Sequence, residues 1–308
     1  MKRELTVINK AVQTDLHTIG DWLRWMVSSF QRAELFYGHG TDNPWDDAVQ
    51  LLRHALSWPG EIPREMMNAR LTSGEKQQLL VLVEQRVNLR KPVPYITHEA
   101  WFYNLDFYVD ENVLIPRSPI AELIEQHFEP WVESSKIHRV LDLCTGSGCI
   151  GIACAVELPE TLVDCVDISK EALQIARRNV DHHDLDERVN LIESDLFDQI
   201  QGKYDVIVSN PPYVDAEDMS SLPDEYRHEP ALALEAGHDG LDIVRRMLKE
   251  GKHYLNPHGV MIIEVGNSAV ALEDSFPTVP FTWLEFERGG SGVFVISYEE
   301  LVRYQNIF

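Results

Sequence analysis

The sequence predicts an α/β protein with a mostly parallel sheet, preceded by a small helical domain. Two patterns carry that reading. Over the first ninety or so of the 308 residues, apolar side chains recur at helical spacing. From about residue 118 onward, short β-branched runs alternate with amphipathic helical stretches, as in strands joined by crossover helices. A third observation locates function. Two of those runs lead straight into loops of unusual composition, one rich in glycine and one opening with two prolines. Ligands in open α/β sheets bind just outside the C-terminal ends of the strands.

The elements follow in order. Ile19, Trp22, Leu23, Met26, Val27 and Phe30 share one helical face. Asn43 before Pro44 is an N-cap with proline in the first turn, opening a helix that carries Ala48, Val49, Leu51, Leu52 and Leu56. Thr72 with Glu75 forms a capping-box pattern, and the helix behind it buries Leu79, Leu80, Val83 and Val87. Trp22, Trp25, Trp45 and Trp58 read as core and domain-contact residues. Pro92 and Pro94 are expected to break the helical run. Trp101-Phe102-Tyr103 and Phe107-Tyr108-Val109, flanking Asn104-Leu105-Asp106, suggest a β-hairpin. The expected organisation is a helical domain over residues 1–91, a hairpin linker over 92–117 and an α/β domain over 118–308. The helical domain carries no catalytic constellation, which assigns it to substrate recognition.

In the α/β domain, Ser118-Pro119 caps a helix with Ile120, Leu123, Ile124 and Phe128 on its buried side. Strands are expected from Val140-Leu141, over Leu162-Val163-Asp164-Cys165-Val166-Asp167, over Val189-Asn190-Leu191-Ile192-Glu193 and over Tyr204-Asp205-Val206-Ile207-Val208-Ser209. A helix follows Ser169 with Ala172, Leu173, Ile175 and Ala176, and another spans residues 243–254. The strand Val260-Met261-Ile262-Ile263-Glu264-Val265 comes next. Residues 281–286 and 293–296, joined by Gly289-Gly290-Ser291-Gly292, resemble a closing antiparallel hairpin.

Composition narrows the partners. Hydrophobic residues at 44% and charged residues at 25% fit a soluble globular protein, and no run approaches the ~20 apolar residues of a membrane helix. Lys+Arg 27 against Asp+Glu 50 leaves a net charge of −23, a field that repels phosphate backbones and attracts basic partners, and that also serves solubility. Cysteines at 144, 149, 154 and 165 match no zinc spacing and read as small reduced thiols against the sheet. Met1-Lys2-Arg3-Glu4-Leu5-Thr6-Val7 has no long apolar stretch, so no signal peptide and a cytoplasmic location are expected. His182-His183-Asp184 reads as a solvated helix end rather than a metal cluster, and His228 as a surface hydrogen bond. No metal is expected.

The two loops carry the chemistry. In Asp142-Leu143-Cys144-Thr145-Gly146-Ser147-Gly148-Cys149-Ile150-Gly151, three glycines match G-x-G-x-x-G, which permits a tight turn and close approach of a ligand to the backbone. Asp167 ends the next strand, where a carboxylate can take both hydroxyls of a ribose. Ser194-Asp195-Leu196-Phe197 follows the third strand, a place for adenine recognition. A nicotinamide dinucleotide would satisfy the glycines and Asp167. Asp142, expected at the mouth of the loop, would repel a pyrophosphate and suits the ammonium end of S-adenosylmethionine. Asn210-Pro211-Pro212-Tyr213 offers a side-chain carbonyl, the Pro211 backbone carbonyl and a flat ring, which together suit a planar group bearing an NH2.

These residues resemble the HemK-like class of S-adenosylmethionine-dependent glutamine N5-methyltransferases. The resemblance rests on Asp142 through Gly148, on Asp167 and Asp195, and on Asn210 through Tyr213. It also takes in Ile115-Pro116-Arg117, Glu229-Pro230-Ala231-Leu232 and Gly240-Leu241. It implies a Rossmann-like class I fold with a mostly parallel seven-stranded sheet. S-adenosylmethionine would be held by Asp142, Cys144, Thr145, Gly146, Ser147, Gly148, Asp167, Ile168, Asp195, Leu196 and Asn210. Catalysis would fall to Asn210, Pro211, Pro212 and Tyr213. Tyr37-Gly38-His39-Gly40-Thr41-Asp42-Asn43-Pro44-Trp45 and Leu222-Pro223-Asp224-Glu225-Tyr226-Arg227-His228-Glu229-Pro230 resemble the branch of that class acting on a large-subunit ribosomal protein, L three. With them the likeness covers nearly the whole chain and implies a basic protein partner, met before or during ribosome assembly, without nucleic acid or membrane. Cys144 stands where many members have glycine, and Leu196 where some have an aromatic residue. Three other readings stay open here: a release-factor methyltransferase, an adenine N6-methyltransferase, which would need a basic track for phosphates, and a non-catalytic assembly factor.

Overall fold

A computed structural model describes residues 11–308; the expectation for residues 1–7 lies outside the described residues. Two compact units emerge. One comprises the described residues up to Glu99 together with Pro223–His228, and the other comprises Ala100–Leu222 and Glu229–Phe308. The expected linker of residues 92–117 is therefore divided, its hairpin belonging to the second unit.

The first unit is helical. Helices α1 (Ile19–Arg32), α2 (Pro44–Leu56), α3 (Ser73–Asn88) and α4 (Val93–Thr97) follow one another. The Asn43 side chain accepts from the N–H groups of Trp45 and Asp46, and Thr72 with Glu75 closes a reciprocal capping box. Trp22, Leu51, Leu52 and Leu79 are fully buried in a common core. Trp45 is exposed, so it is not one of the core residues expected, whereas Trp25 and Trp58 are partly buried. Pro92 and Pro94 do not simply end a helix. The run stops at Asn88, and Pro92 caps the short α4, whose first turn tolerates proline. Pro223–His228 joins this unit through Glu225, whose buried carboxylate accepts from Phe36 N at 3.0 Å and pairs with Arg86 and Arg90. His228 Nε2 meets the Leu89 carbonyl at 2.7 Å, the surface hydrogen bond expected of it.

The second unit opens with the hairpin of β1 (Ala100–Phe102) and β2 (Leu105–Phe107). Its turn is Tyr103-Asn104, both residues left-handed, rather than residues 104–106. Helix α5 (Ile120–Glu125) leads to β3 (Arg139–Leu143), α6 (Cys149–Glu157), β4 (Leu162–Asp167), α7 (Lys170–His182), β5 (Val189–Glu193) and β6 (Tyr204–Ser209). Then come α8 (Ala216–Ser221), α9 (Asp242–Glu250), β7 (Leu255–Glu264), α10 (Ala269–Ser275), β8 (Thr282–Trp283), β9 (Val293–Ser297) and α11 (Tyr298–Arg303). The seven-stranded sheet has the order β5-β4-β3-β6-β7-β9-β8, parallel except for β9, which runs against both β7 and β8. Alternate residues enter two separate cores. Val140, Val206, Val208 and Ile262 face one, while Leu141, Ile207, Met261 and Ile263 face the other. A sheet buried on both faces explains why its strands read as continuous apolar runs. The order reverses between β3 and β6, and the crevice outside the C-terminal ends of those two strands is where a ligand belongs.

His182 and His183 do more than meet solvent at the end of α7. His182 Nε2 lies 2.9 Å from Asp106 Oδ2, and His183 Nε2 2.9 Å from the Asp106 carbonyl, tying the hairpin to the helix. All four cysteines are free thiols, three of them buried. Among the described residues no helix is long and apolar enough to cross a membrane.

Candidate functional site

A cavity of about 400 Å³ opens at the predicted crevice. Cys144, Thr145, Gly146 and Ser147 form its floor after β3. Asp167 and Ile168 follow β4, Asp195 and Leu196 follow β5, and Asn210 and Pro212 follow β6. Ten expected site residues, from four separate strand ends, thus share one cavity of a size usual for small-molecule sites. Asp142, Gly148, Pro211 and Tyr213 do not line it.

The glycine loop is built from the residues beneath it. Gly146 and Gly148 have φ of +54° and +83°, and Cys144 has +58°, so the chain turns through three left-handed residues in five. Glycine would suit position 144 for the same reason. Gly151 serves packing instead, since a Cβ there would lie 2.3 Å from Cys165 Sγ. Asp142 is not at the mouth of the loop. Its side chain is fully buried below it, where Oδ2 accepts from Thr145 Oγ1 and from Gly151 N at 2.9 Å. Burial pushes this carboxyl up to about 7, the Asp167 charge adds to the rise, and the Thr145 and Gly151 bonds oppose it. Asp142 therefore shapes the loop rather than facing the cavity.

Asp167 does face the cavity. Its Oδ2 accepts from Gly146 N and its Oδ1 from Ser169 N, both at 2.9 Å. Burial raises its pKa, while these backbone bonds hold it down. Each oxygen keeps a further lone pair for a ligand hydroxyl. Asp195 is paired with Arg246 at 2.8 Å, a partner the sequence did not reveal because it arrives from α9. The side-chain oxygen of Asn210 and the hydroxyl of Ser147 are buried without any hydrogen-bond partner. A buried acceptor left unmatched is costly, so each points to a group supplied from outside the chain. Unpartnered polar atoms beside two carboxylates and the apolar Ile168 and Leu196 fit a cationic nucleoside such as S-adenosylmethionine.

Another part of the cavity wall joins two stretches distant in sequence. Arg117 donates to both carboxylate oxygens of Glu229, at 2.6 and 2.7 Å, and Ile115 N donates to Glu229 Oε1 at 3.1 Å. Pro116, Arg117, Pro230 and Leu232 line the cavity beside this clamp. Tyr213 donates its hydroxyl to Glu264, which the sequence reading passed over as part of an apolar strand.

Fold and site together define a methyltransferase, and the Methyltransferase small domain family matches residues 122–223. The catalytic domain of hMettl16, solved with MAT2A 3′UTR hairpin 6, is alike in fold alone, with a TM-score of 0.50 and 16% identity over 72% of this chain and 80% of its own. Nearer relatives exist. The ribosomal protein uL3 glutamine methyltransferase of Francisella tularensis is 49% identical over 296 residues, 96% of this chain and 94% of the relative. Its counterpart in Neisseria gonorrhoeae is 46% identical over 297 residues, 96% and 99% of the two chains. The chain belongs to the family of ribosomal protein uL3 glutamine methyltransferases, and it is an enzyme whose methyl donor is S-adenosylmethionine.

Proposed function

We propose that this enzyme methylates the side-chain amide nitrogen of a glutamine in ribosomal protein uL3, with Asn210 and Pro211 holding that amide. The relatives are named for this reaction. The observation that carries the residue assignment is the Asn210 side-chain oxygen, buried without a partner one residue beyond the central strand β6. Asp167 takes the ribose hydroxyls, Asp195 the adenine edge, Ile168 and Leu196 the faces of the base, and Thr145 through Gly148 the remainder of the cofactor. Asp142 contributes indirectly, by bracing the loop.

An amide nitrogen is a poor nucleophile because its lone pair is delocalised into the carbonyl. When bound, the cofactor supplies an electrophilic methyl on a positively charged sulfur. The chain supplies orientation. Asn210 Oδ1 and the Pro211 carbonyl each accept one N–H of the substrate amide, which aims the nitrogen and stabilises positive charge as it develops. Tyr213 borders the amide. No strong base is needed beforehand, since the proton becomes acidic only as the C–N bond forms.

The net charge of −23 supports a basic protein substrate over nucleic acid. The helical unit selects that substrate, in the cytoplasm, before or during ribosome assembly. Asn210→Ala is expected to lower kcat by ~10²–10³-fold, the scale of one lost preorganised electrostatic partner, with cofactor affinity nearly unchanged. Asn210→Asp keeps an acceptor but adds charge beside the sulfonium and is also expected to slow transfer. Steady-state kinetics showing either variant within a few-fold of wild type would remove Asn210 from this role.

A further inference from the structure

The two proposed acceptors sit on a loop, beyond the last hydrogen bonds of β6. Holding an amide in line requires that loop to be fixed. Beside the backbone bonds of Val214 to Leu234 and Ala236, several restraints act on Tyr213. Its hydroxyl donates to Glu264 Oε1 at 3.0 Å. Its carbonyl accepts from Ser268 Oγ at 2.8 Å. Two glycines bring bare backbone against it: a Cβ at Gly266 would lie 2.5 Å from Tyr213 Cε2, and one at Gly240 would lie 2.2 Å from the Tyr213 carbonyl oxygen. Both glycines also have positive φ, +46° and +74°.

Glu264 is the centre of this arrangement. It ends β7, directly beyond Ile263, which pairs with Ser209 of β6, so it stands beside Asn210 across the ladder. It is 5% exposed. Its second oxygen accepts from Ser118 Oγ at 2.6 Å, and Ser118 lines the cavity. A carboxylate in a strand that is otherwise apolar is costly to bury unless its oxygens are bonded. Here both are bonded, each to a hydroxyl from a different part of the site. Neither bond is needed to complete the sheet.

We infer that Glu264 is a positioning residue for methyl transfer, acting through Tyr213 to fix the main chain that carries the Asn210 and Pro211 acceptors. The inference rests on the proposed role of those two residues. Glu264 itself touches no reacting atom. Tyr213 then has a second duty besides bordering the amide: it is the link between the acceptor loop and β7.

The test uses the full-length enzyme, with kcat and KM for uL3, cofactor affinity by calorimetry and the thermal midpoint measured for each variant. Tyr213→Phe keeps the ring and removes one hydrogen bond to a charged group. It is expected to lower kcat about 10-fold or more with cofactor affinity unchanged. Glu264→Gln keeps an acceptor for Tyr213 and can turn its N–H toward Ser118 Oγ, so it is expected to stay within a few-fold of wild type. Glu264→Ala is expected to match Tyr213→Phe, and the double variant to be no worse than the more severe single one, because both break the same link. Additive losses, or Tyr213→Phe at wild-type kcat, would overturn the inference. Should Glu264→Ala not fold, Tyr213→Phe against Glu264→Gln decides: loss in the first with retention in the second supports the link, and retention in both overturns it. Asn210→Ala is run alongside. Its retained activity overturns the acceptor reading itself, whereas its loss beside an unaffected Tyr213→Phe overturns only the role of Glu264.

Discussion

Asp142→Asn separates the charge of a buried carboxylate from its hydrogen bonds. Asp142 is fully buried, with Oδ2 accepting from Thr145 and Gly151 and Oδ1 unpartnered. Burial is the main reason its pKa moves from the ordinary 3.8 to about 7. The folded protein therefore binds this proton more tightly than the unfolded chain does. Stability from this group is fully present below about pH 4 and is lost as pH rises toward 7, a swing of roughly 4 kcal/mol. Asparagine does not titrate. Its carbonyl can take both bonds of Oδ2, while its NH2 falls where Oδ1 has no partner, at a cost of about 1–3 kcal/mol. That cost is independent of pH. The stability difference between variant and wild type should thus move in the variant's favour by roughly 3 kcal/mol between pH 5 and pH 8. Glu264, whose pKa is also raised, is present in both proteins and cancels, whereas Asp167, whose charge adds to the rise at Asp142, contributes to the measured difference. Urea unfolding of both proteins without cofactor, at several pH values, measures the difference. A gap that stays constant across the range would refute the account of Asp142 as a desolvated carboxyl.

Two further outcomes are expected. Asp167→Ala should weaken cofactor binding by ~1.5–3 kcal/mol in calorimetry, the usual scale for hydrogen bonds to a charged group, and unchanged affinity in a folded variant would take Asp167 off the ribose. Trp45→Ala, at a side chain 50% exposed in the first turn of α2, should raise KM for uL3 without altering cofactor affinity or the melting midpoint; an unchanged KM would place recognition elsewhere in the chain.

Much of the α/β unit was legible because its signals are local. β4, β5 and β6 fall on the expected residues because each is a short run rich in Val, Leu and Ile; β6 is buried along its whole length, while the edge strand β5 exposes Asn190 and Glu193. β7 starts at Leu255, earlier than expected, because Asn256-Pro257-His258 does not read as strand. The cavity was legible from loops that follow strand ends. What the sequence hid is non-local. Asp142 was placed at the mouth of the loop because a carboxylate is usually exposed, and only its burial and its bonds to Thr145 and Gly151 show that it lies beneath. Trp45 read as a core or domain-contact residue because hydrophobicity does not say which aromatic side chains face outward. Arg246 meets Asp195 across 51 residues, and Glu225 meets Arg86 across 139, contacts that no periodicity announces. Glu264 had one visible trace, a carboxylate ending an apolar strand, and that trace gained meaning only when Tyr213 and Ser118 were found on its two oxygens.

This chain is expected to methylate a glutamine side chain of uL3 with the acceptors beyond β6. Purified uL3 incubated with the enzyme and isotopically labelled S-adenosylmethionine, then digested and mapped by mass spectrometry, tests it most directly. The account predicts one labelled methyl group on a single glutamine side chain, absent when that glutamine is replaced and nearly absent with Asn210→Ala. Label on another residue type, on nucleic acid, or undiminished with Asn210→Ala would contradict it.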